Sequence, residues 1–234
     1  MKIALLGYGK MGKMIEKMAE MQKIEVAAKF WDEKPLKTDS NSTQLLEEVD
    51  VLLDFSIPDA VPENVKKAAA LKKNIVIGTT GWQKNASRIQ KMVEDNKIGC
   101  VYAPNFSIGV NLFYKIVEFA ARTMLAFEQY DPYLTESHHK FKLDAPSGTA
   151  LAIKSIISNI YRTNNIPISS IRAGYIPGIH QVAFDSNVDF ISLKHTARNR
   201  EGLAIGALTA AQWICGRKGY HAFEDVLNDI LEKK

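Results

Sequence analysis

The chain has 234 residues, 46% hydrophobic and 24% charged, with a net charge of +4. That is a globular composition of one or two domains, long enough to bury a sizeable core, and it excludes fibrous, disordered and disulfide-scaffold classes. The small positive excess gives no footing for nucleic acid, though it mildly favours anionic small ligands.

Two cysteines, Cys100 and Cys215, are far apart and lack CxxC spacing. A zinc site is therefore not expected, and a cytoplasmic, reducing setting fits. Neither a signal peptide nor a membrane span is expected, because no apolar stretch has the required length.

Ile3-Ala4-Leu5-Leu6 is an unbroken apolar run ended by glycine, the pattern of a strand covered on both faces. Met11, Met14, Ile15 and Met18 recur at i, i+3, i+4 and i+7, which predicts a helix. Ile24 to Phe30 reads as a second strand, a short helix surrounds Leu45-Leu46, and Asp50 to Ser56 is a third strand. Pro62 to Leu71 is helical, with proline tolerated in the first turn. Asn74 to Gly78 is a fourth strand, Ile89, Met92 and Val93 mark a helix, and Ile98 to Ala103 is a fifth strand. Strand and helix alternate, so a parallel sheet covered on both faces is expected, with ligands beyond the carboxyl ends of its strands.

Past Ser107 the pattern changes. Ile108 to Ala126 predicts a long helix, Tyr133 to His138 a strand, and Thr149 to Arg162 a helix. Gln181 to Phe184 and Val188 to His195 flank Asp185-Ser186-Asn187, a hairpin signal. Leu203 to Ile214 and Ala222 to Leu231 are helical again. The expected architecture is α/β: a Rossmann-like doubly wound parallel sheet with an inserted α+β domain on a mixed or antiparallel sheet. Residues 1–107 with 202–234 form the dinucleotide-binding domain, and residues 108–201 form the substrate-binding and oligomerisation domain.

Gly7-x-Gly9-x-x-Gly12 lies between the first strand and the first helix, the context a dinucleotide fingerprint requires. Gly7 suits the tight turn, Gly9 close approach to a pyrophosphate, and Gly12 close packing of the helix. The helix start then offers N–H groups to the phosphates. Asp32, 20 residues after Gly12, is a candidate for the ribose hydroxyls. A carboxylate there favours NADH, whereas Lys10 in the turn suits the extra phosphate of NADPH, and both cofactors stay open.

The segment Glu136 to Thr149 holds His138, His139, Lys142, Asp144 and Ser147-Gly148-Thr149. Adjacent histidines in mid-strand point to opposite faces, so both serve one pocket only where the strand ends. A histidine can donate a proton near neutral pH, Lys142 can face a carboxylate, and the helix opening at Ser147 is a second anion cradle. The plainer alternative is a surface strand end followed by an ordinary N-cap. A metal site from His138, His139 and Asp144 lacks HxH or HxxxH spacing, so no metal is expected.

The run Glu136 to Ala150, with its core His138-His139-x-x-Lys142-x-Asp144-Ala145-Pro146-Ser147-Gly148-Thr149-Ala150, resembles the signature of the dihydrodipicolinate reductase family. The resemblance covers nearly the whole chain. It includes the Gly7 to Gly12 turn, Asp54-Phe55-Ser56, Gly78-Thr79-Thr80-Gly81 and Asn105 to Val110. It continues through Arg172-x-Gly174, Pro177 to His180, His195-x-Ala197-x-x-Arg200 and Gly206-Ala207. It implies reduction of the cyclic product of aspartate semialdehyde and pyruvate, a small dicarboxylate, on the route to diaminopimelate and lysine.

By the same resemblance His138 is the general acid; the chemistry of proton delivery suits an imidazolium form held by nearby carboxylates. Lys142 is its partner and also binds substrate, while His139, Gly148 and Thr149 hold the substrate carboxylates. Lys10 and Met11 lie along the cofactor phosphates, and Phe55 is a further cofactor contact. Gly78, Thr79, Thr80, Ala103, Pro104, Asn105 and Phe106 border the nicotinamide and its ribose. A homotetramer assembled through the second domain's sheet is implied. Closure that excludes water from the site is expected on chemical grounds, with hinges near Ser107-Ile108 and Arg200-Gly202. The first turn is one residue shorter than the family's common form, and Lys29-Phe30-Trp31-Asp32 replaces its usual acidic–basic pair. The rival readings are another NAD(P)-dependent amino-acid or semialdehyde dehydrogenase and a non-catalytic dinucleotide-binding redox sensor.

Overall fold

The structure is a computed structural model and describes residues 1–233. The first half runs β1 (Lys2–Leu6), α1 (Lys10–Met21), β2 (Glu25–Phe30), α2 (Ser40–Leu45), β3 (Val51–Asp54), α3 (Val61–Ala70), β4 (Asn74–Ile77), α4 (Ala86–Asp95) and β5 (Gly99–Tyr102). The second half runs α5 (Ile108–Met124), β6 (Asp131–His138), α6 (Gly148–Tyr161), β7 (Ile168–Arg172), β8 (Ile179–Asp185), β9 (Phe190–Thr196), α7 (Glu201–Ile214), β10 (Gly219–Ala222) and α8 (Phe223–Glu232). The chain divides into two compact units, Met1–Ile108 with Glu201–Lys234, and Gly109–Arg200.

In the first unit six strands lie in the order β10-β5-β4-β3-β1-β2. Each neighbouring pair is parallel. Side-chain alternation splits β1 between two cores. Ile3 and Leu5 join Ile15, Leu208 and Val226 from α1, α7 and α8 on one face. Ala4 and Leu6 join Val65 and Ile89 from α3 and α4 on the other. Each such Leu or Ile contributes roughly 1.5–3 kcal/mol by leaving water, so the central strands are anchored from both sides. The order reverses between β1 and β3, and this opens a crevice at their carboxyl ends.

The second unit is a four-stranded sheet ordered β7-β6-β8-β9. β6 and β7 are parallel and the other pairs antiparallel, so the sheet is mixed. α5 and α6 cover one face, where Phe113, Val117, Ile153 and Ile157 pack on Leu134, Val182 and Phe184. Glu136 and His138 follow Leu134 by two and four residues and therefore share its covered face.

Three local differences from the sequence expectation stand out. β7 and β10 are strands where none is predicted: both are edge strands, and β7 is largely exposed. β8 extends through Asp185 and β9 begins at Phe190, so the reversal is Ser186–Asp189, closed by Ser186 N–H donating to the Asp189 carbonyl at 2.9 Å. α7 begins two residues early, at Glu201.

Candidate active site

The first unit carries a hollow of about 770 Å³ at the ends of β1, β2 and β3, lined by Gly7, Gly9, Asp32, Phe55, Lys13 and Lys67 among others. Gly7 has φ +90, and a Cβ there would collide with the Phe55 backbone, so this turn admits only glycine. Gly12 lies against the Gly7 carbonyl, which lets α1 begin tightly after the turn. A Cβ on Gly9 would meet nothing within 4 Å. Gly9 is the N-cap of α1 and has no side chain to cap it, so the first N–H groups of the helix take no hydrogen bond from their N-cap residue's side chain. Lys10 is exposed and Met11 half-buried in that first turn. An open helix start, a glycine with room before it and an adjoining hollow fit a dinucleotide phosphate.

The next strand ends are more tightly built than sequence suggests. Asp54 is fully buried at the end of β3. Its Oδ1 accepts from Ser56 N–H (3.0 Å), Ser56 Oγ (2.6 Å) and Thr79 Oγ1 (3.1 Å). Its Oδ2 accepts from Asn64 Nδ2 at 3.0 Å. Burial pushes its pKa up despite these donors. Thr79 thus spends its hydroxyl inward, while Gly78 lies against the Phe55 ring. Phe106 is buried between Phe55 and Phe223, and its carbonyl packs against Gly206. Ala103 is buried, Pro104 and Thr80 are exposed, and Asn105 Oδ1 accepts from Ser107 N–H at 2.8 Å.

At the end of β2, Lys29 Nζ sits 2.7 Å from Glu16 Oε1 and over the Tyr8 ring, and Tyr8 donates its hydroxyl to Glu16. This trio was invisible in sequence because it joins a turn, a helix and a strand.

In the second unit β6 ends at His138, which is buried, and His139 follows it half-buried. His138 Nδ1 lies 3.2 Å from Glu136 Oε2. Burial lowers the His138 pKa, Glu136 raises it, and Lys142 and Arg172 lower it. Lys142 Nζ lies 2.7 and 2.9 Å from the two Asp144 carboxylate oxygens, so its nearest partner is Asp144 rather than His138. Ser147 caps α6: its Oγ accepts from Ala150 N–H at 3.2 Å. Its carbonyl takes Leu151 N–H at 2.9 Å. Gly148 and Thr149 therefore present the open N–H groups of this helix, and nothing would crowd a Cβ on Gly148.

Sequence reasoning gave no role to Glu136, Arg172 or His180, although the resemblance ran through them. Glu136 Oε1 accepts from Arg172 Nη2 (2.6 Å), Ser170 Oγ (2.8 Å) and Ser147 N–H (3.0 Å). Burial would raise its pKa, but these donors prevail and hold it at about 2. Arg172 Nη2 also donates to the Asp144 carbonyl at 2.6 Å, bracing the segment after β6. His180 Nε2 lies 3.1 Å from Ser147 Oγ, and burial first, then His138, lowers its pKa to about 4. Glu136, His138 and His180 offer ligand atoms within 4.8 Å of one another. The Arg172 guanidinium on Glu136 opposes a second cation there.

The family model described as dihydrodipicolinate reductase, N-terminus, matches residues 1–106, and that described as dihydrodipicolinate reductase, C-terminus, matches residues 109–227. A Christiangramia forsetii protein named 4-hydroxy-tetrahydrodipicolinate reductase is 34% identical, covering 99% of this chain and 100% of its own. One of the same name from Methanosarcina acetivorans is 35% identical, over 96% of this chain and 88% of its own. The solved structure of dipicolinate-bound dihydrodipicolinate reductase from Paenisporosarcina sp. TG-14 superimposes with a TM-score of 0.81 at 25% identity, covering 96% of this chain and 98% of that one.

Proposed function

The chain belongs to the dihydrodipicolinate reductase family, and from that premise we propose how its own side chains carry the reaction. It is an NAD(P)H-dependent reductase of 4-hydroxy-tetrahydrodipicolinate in diaminopimelate and lysine biosynthesis. The observation that carries the residue assignment is the joint placement of His138, Lys142 and the open start of α6 at one end of β6.

When bound, the reduced nicotinamide supplies the hydride. The Gly7–Gly12 turn and the open start of α1, with Lys10 and Met11, hold the cofactor phosphates, and Asp32 faces the ribose. Phe55, Gly78 to Thr80 and Ala103 to Phe106 border the nicotinamide end. The hollow mixes acidic Asp32, Glu33 and Glu63 with Lys13 and Lys67. Carboxylates suit ribose hydroxyls and lysines suit a phosphate, so both NADH and NADPH serve.

The substrate's two carboxylates need fixed donors. The Gly148 and Thr149 N–H groups, His139 and Lys142 supply them, with Asp144 giving up Lys142 to the incoming anion. Once the 4-hydroxyl has left as water, hydride addition to the resulting conjugated imine leaves an electron-rich enamine, and His138 delivers the proton that carbon requires. The first unit is the dinucleotide domain and the second the substrate domain. The second unit also builds a cytoplasmic homotetramer through the face of its sheet that α5 and α6 leave uncovered.

Calorimetric titration with dipicolinate tests the substrate site. Lys142→Ala should weaken binding about tenfold or more, the scale of one charged hydrogen bond. Unchanged binding in Lys142→Ala contradicts the assignment.

A further inference from the structure

Glu136 precedes His138 by two residues, so strand alternation sets both side chains on the same face of β6. The Glu136 side chain is wholly buried. Its two oxygens have different surroundings. Oε1 takes three donors, from Ser147, Ser170 and Arg172. Oε2 has no aligned hydrogen bond, and neither has His138 Nδ1, which lies 3.2 Å from it; His180 Nε2 lies 3.7 Å from it. On the other side of the imidazole, a Cβ on Gly178 would come within 3.3 Å of His138 Nε2.

We propose that Glu136 is a positioning residue for the reduction. Its Oε1 is pinned by three donors so that its Oε2 holds the Nδ1 edge of His138. Nε2, beside Gly178, is thereby the nitrogen that delivers the proton. This deepens the reading of His138 as the general acid and rests on it.

The physical reasons reinforce one another. A carboxylate fixed at three points cannot swing away when His138 gains charge. Its negative charge favours the imidazolium needed before each turnover, against burial and the nearby cations. Those cations are Arg172 on β7 and Lys142 after β6, the latter offset by Asp144. His180 on β8 also faces the cluster, with His195 of β9 beside it in register. His180 is held neutral near pH 7 and adds no charge of its own. A partner on Nδ1 fixes the tautomer, as an outer hydrogen bond commonly does for a working histidine.

The test compares pH profiles of the intact enzyme. Glu136→Gln keeps the shape and removes the charge. The alkaline limb of kcat should move to lower pH, and kcat at neutral pH should fall on the order of tenfold for each unit of that move. KM for the reduced dinucleotide should not change. Ser170→Ala removes one of the three donors to Oε1 and keeps the charge, so it should move the limb in the same direction but less far. If Glu136→Gln does not fold, NMR of the imidazole nitrogens in the wild-type enzyme reads the same point: neutral His138 should carry its proton on Nδ1. An unmoved alkaline limb in Glu136→Gln, or a neutral His138 protonated on Nε2, overturns the proposal. Those results, with His138→Gln still inactive, leave the general-acid reading standing. A fully active His138→Gln removes that reading first.

Discussion

The buried ionisable side chains of the second unit make its stability depend on pH in two steps. His180 has a pKa of about 4 in the folded chain against an ordinary 6.5. The unfolded chain therefore takes up a proton first as pH falls, and the stability His180 allows above 6.5 is lost on the way to 4. Glu136 is held at about 2 against an ordinary 4.5, so its contribution is present above 4.5 and lost as pH falls through 2. Melting temperature followed against pH should show both steps, and His180→Gln should shrink the upper one, to which His138 and His195, also lowered by burial, contribute. A profile identical in that variant would contradict the burial argument. His138, His139, Lys142 and Ser147 were legible because their residue types carry chemistry at short spacing. Glu136 was legible in principle, since Glu-x-His in a strand puts both on one face. Arg172 and His180 were not, because they meet Glu136 only through pairing of β6 with β7 and β8.

At the scale of elements, the central strands β1, β3, β4 and β5 announced themselves as apolar runs because both their faces are covered. β7 and β10 are edge strands with one pairing neighbour, and their sequences, ISSIR and GYHA, carry no such run. Asp54 is the counterpart for turns. Asp54, expected within the third strand, closes it, and its buried carboxylate ties the turns after β3 and β4 together, which its residue type alone does not announce. α7 offers a sharp test of packing. Its Gly206 faces the Phe106 carbonyl so closely that a Cβ would overlap it. Gly→Ala in a helix ordinarily stabilises by about 1 kcal/mol. Here Gly206→Ala should instead destabilise by roughly 1–3 kcal/mol, because α7 must shift off the loop after β5. Denaturant unfolding measures this, and a stabilised variant would contradict the close packing.

For the whole molecule, two units with separate cores divide the labour proposed here: one presents a dinucleotide crevice, the other a substrate cluster and an uncovered sheet face. Phe190 on that face is 62% exposed, a large apolar group at a strand start with no covering helix. Light scattering should give four times the mass of one chain, and Phe190→Glu should lower it. A wild-type monomer would contradict the proposed assembly. Among the described residues no helix is long and apolar enough to cross a membrane.

The most direct measurement supplies the freshly condensed product of aspartate semialdehyde and pyruvate and follows loss of the reduced nicotinamide absorbance, with wild type beside His138→Gln. Substrate-dependent oxidation by the wild type, with turnover lower by about 10²–10⁴-fold in the variant and little change in substrate affinity, is predicted. A wild type that binds the dinucleotide but never oxidises it, or a variant that turns over at the wild-type rate, would contradict the account.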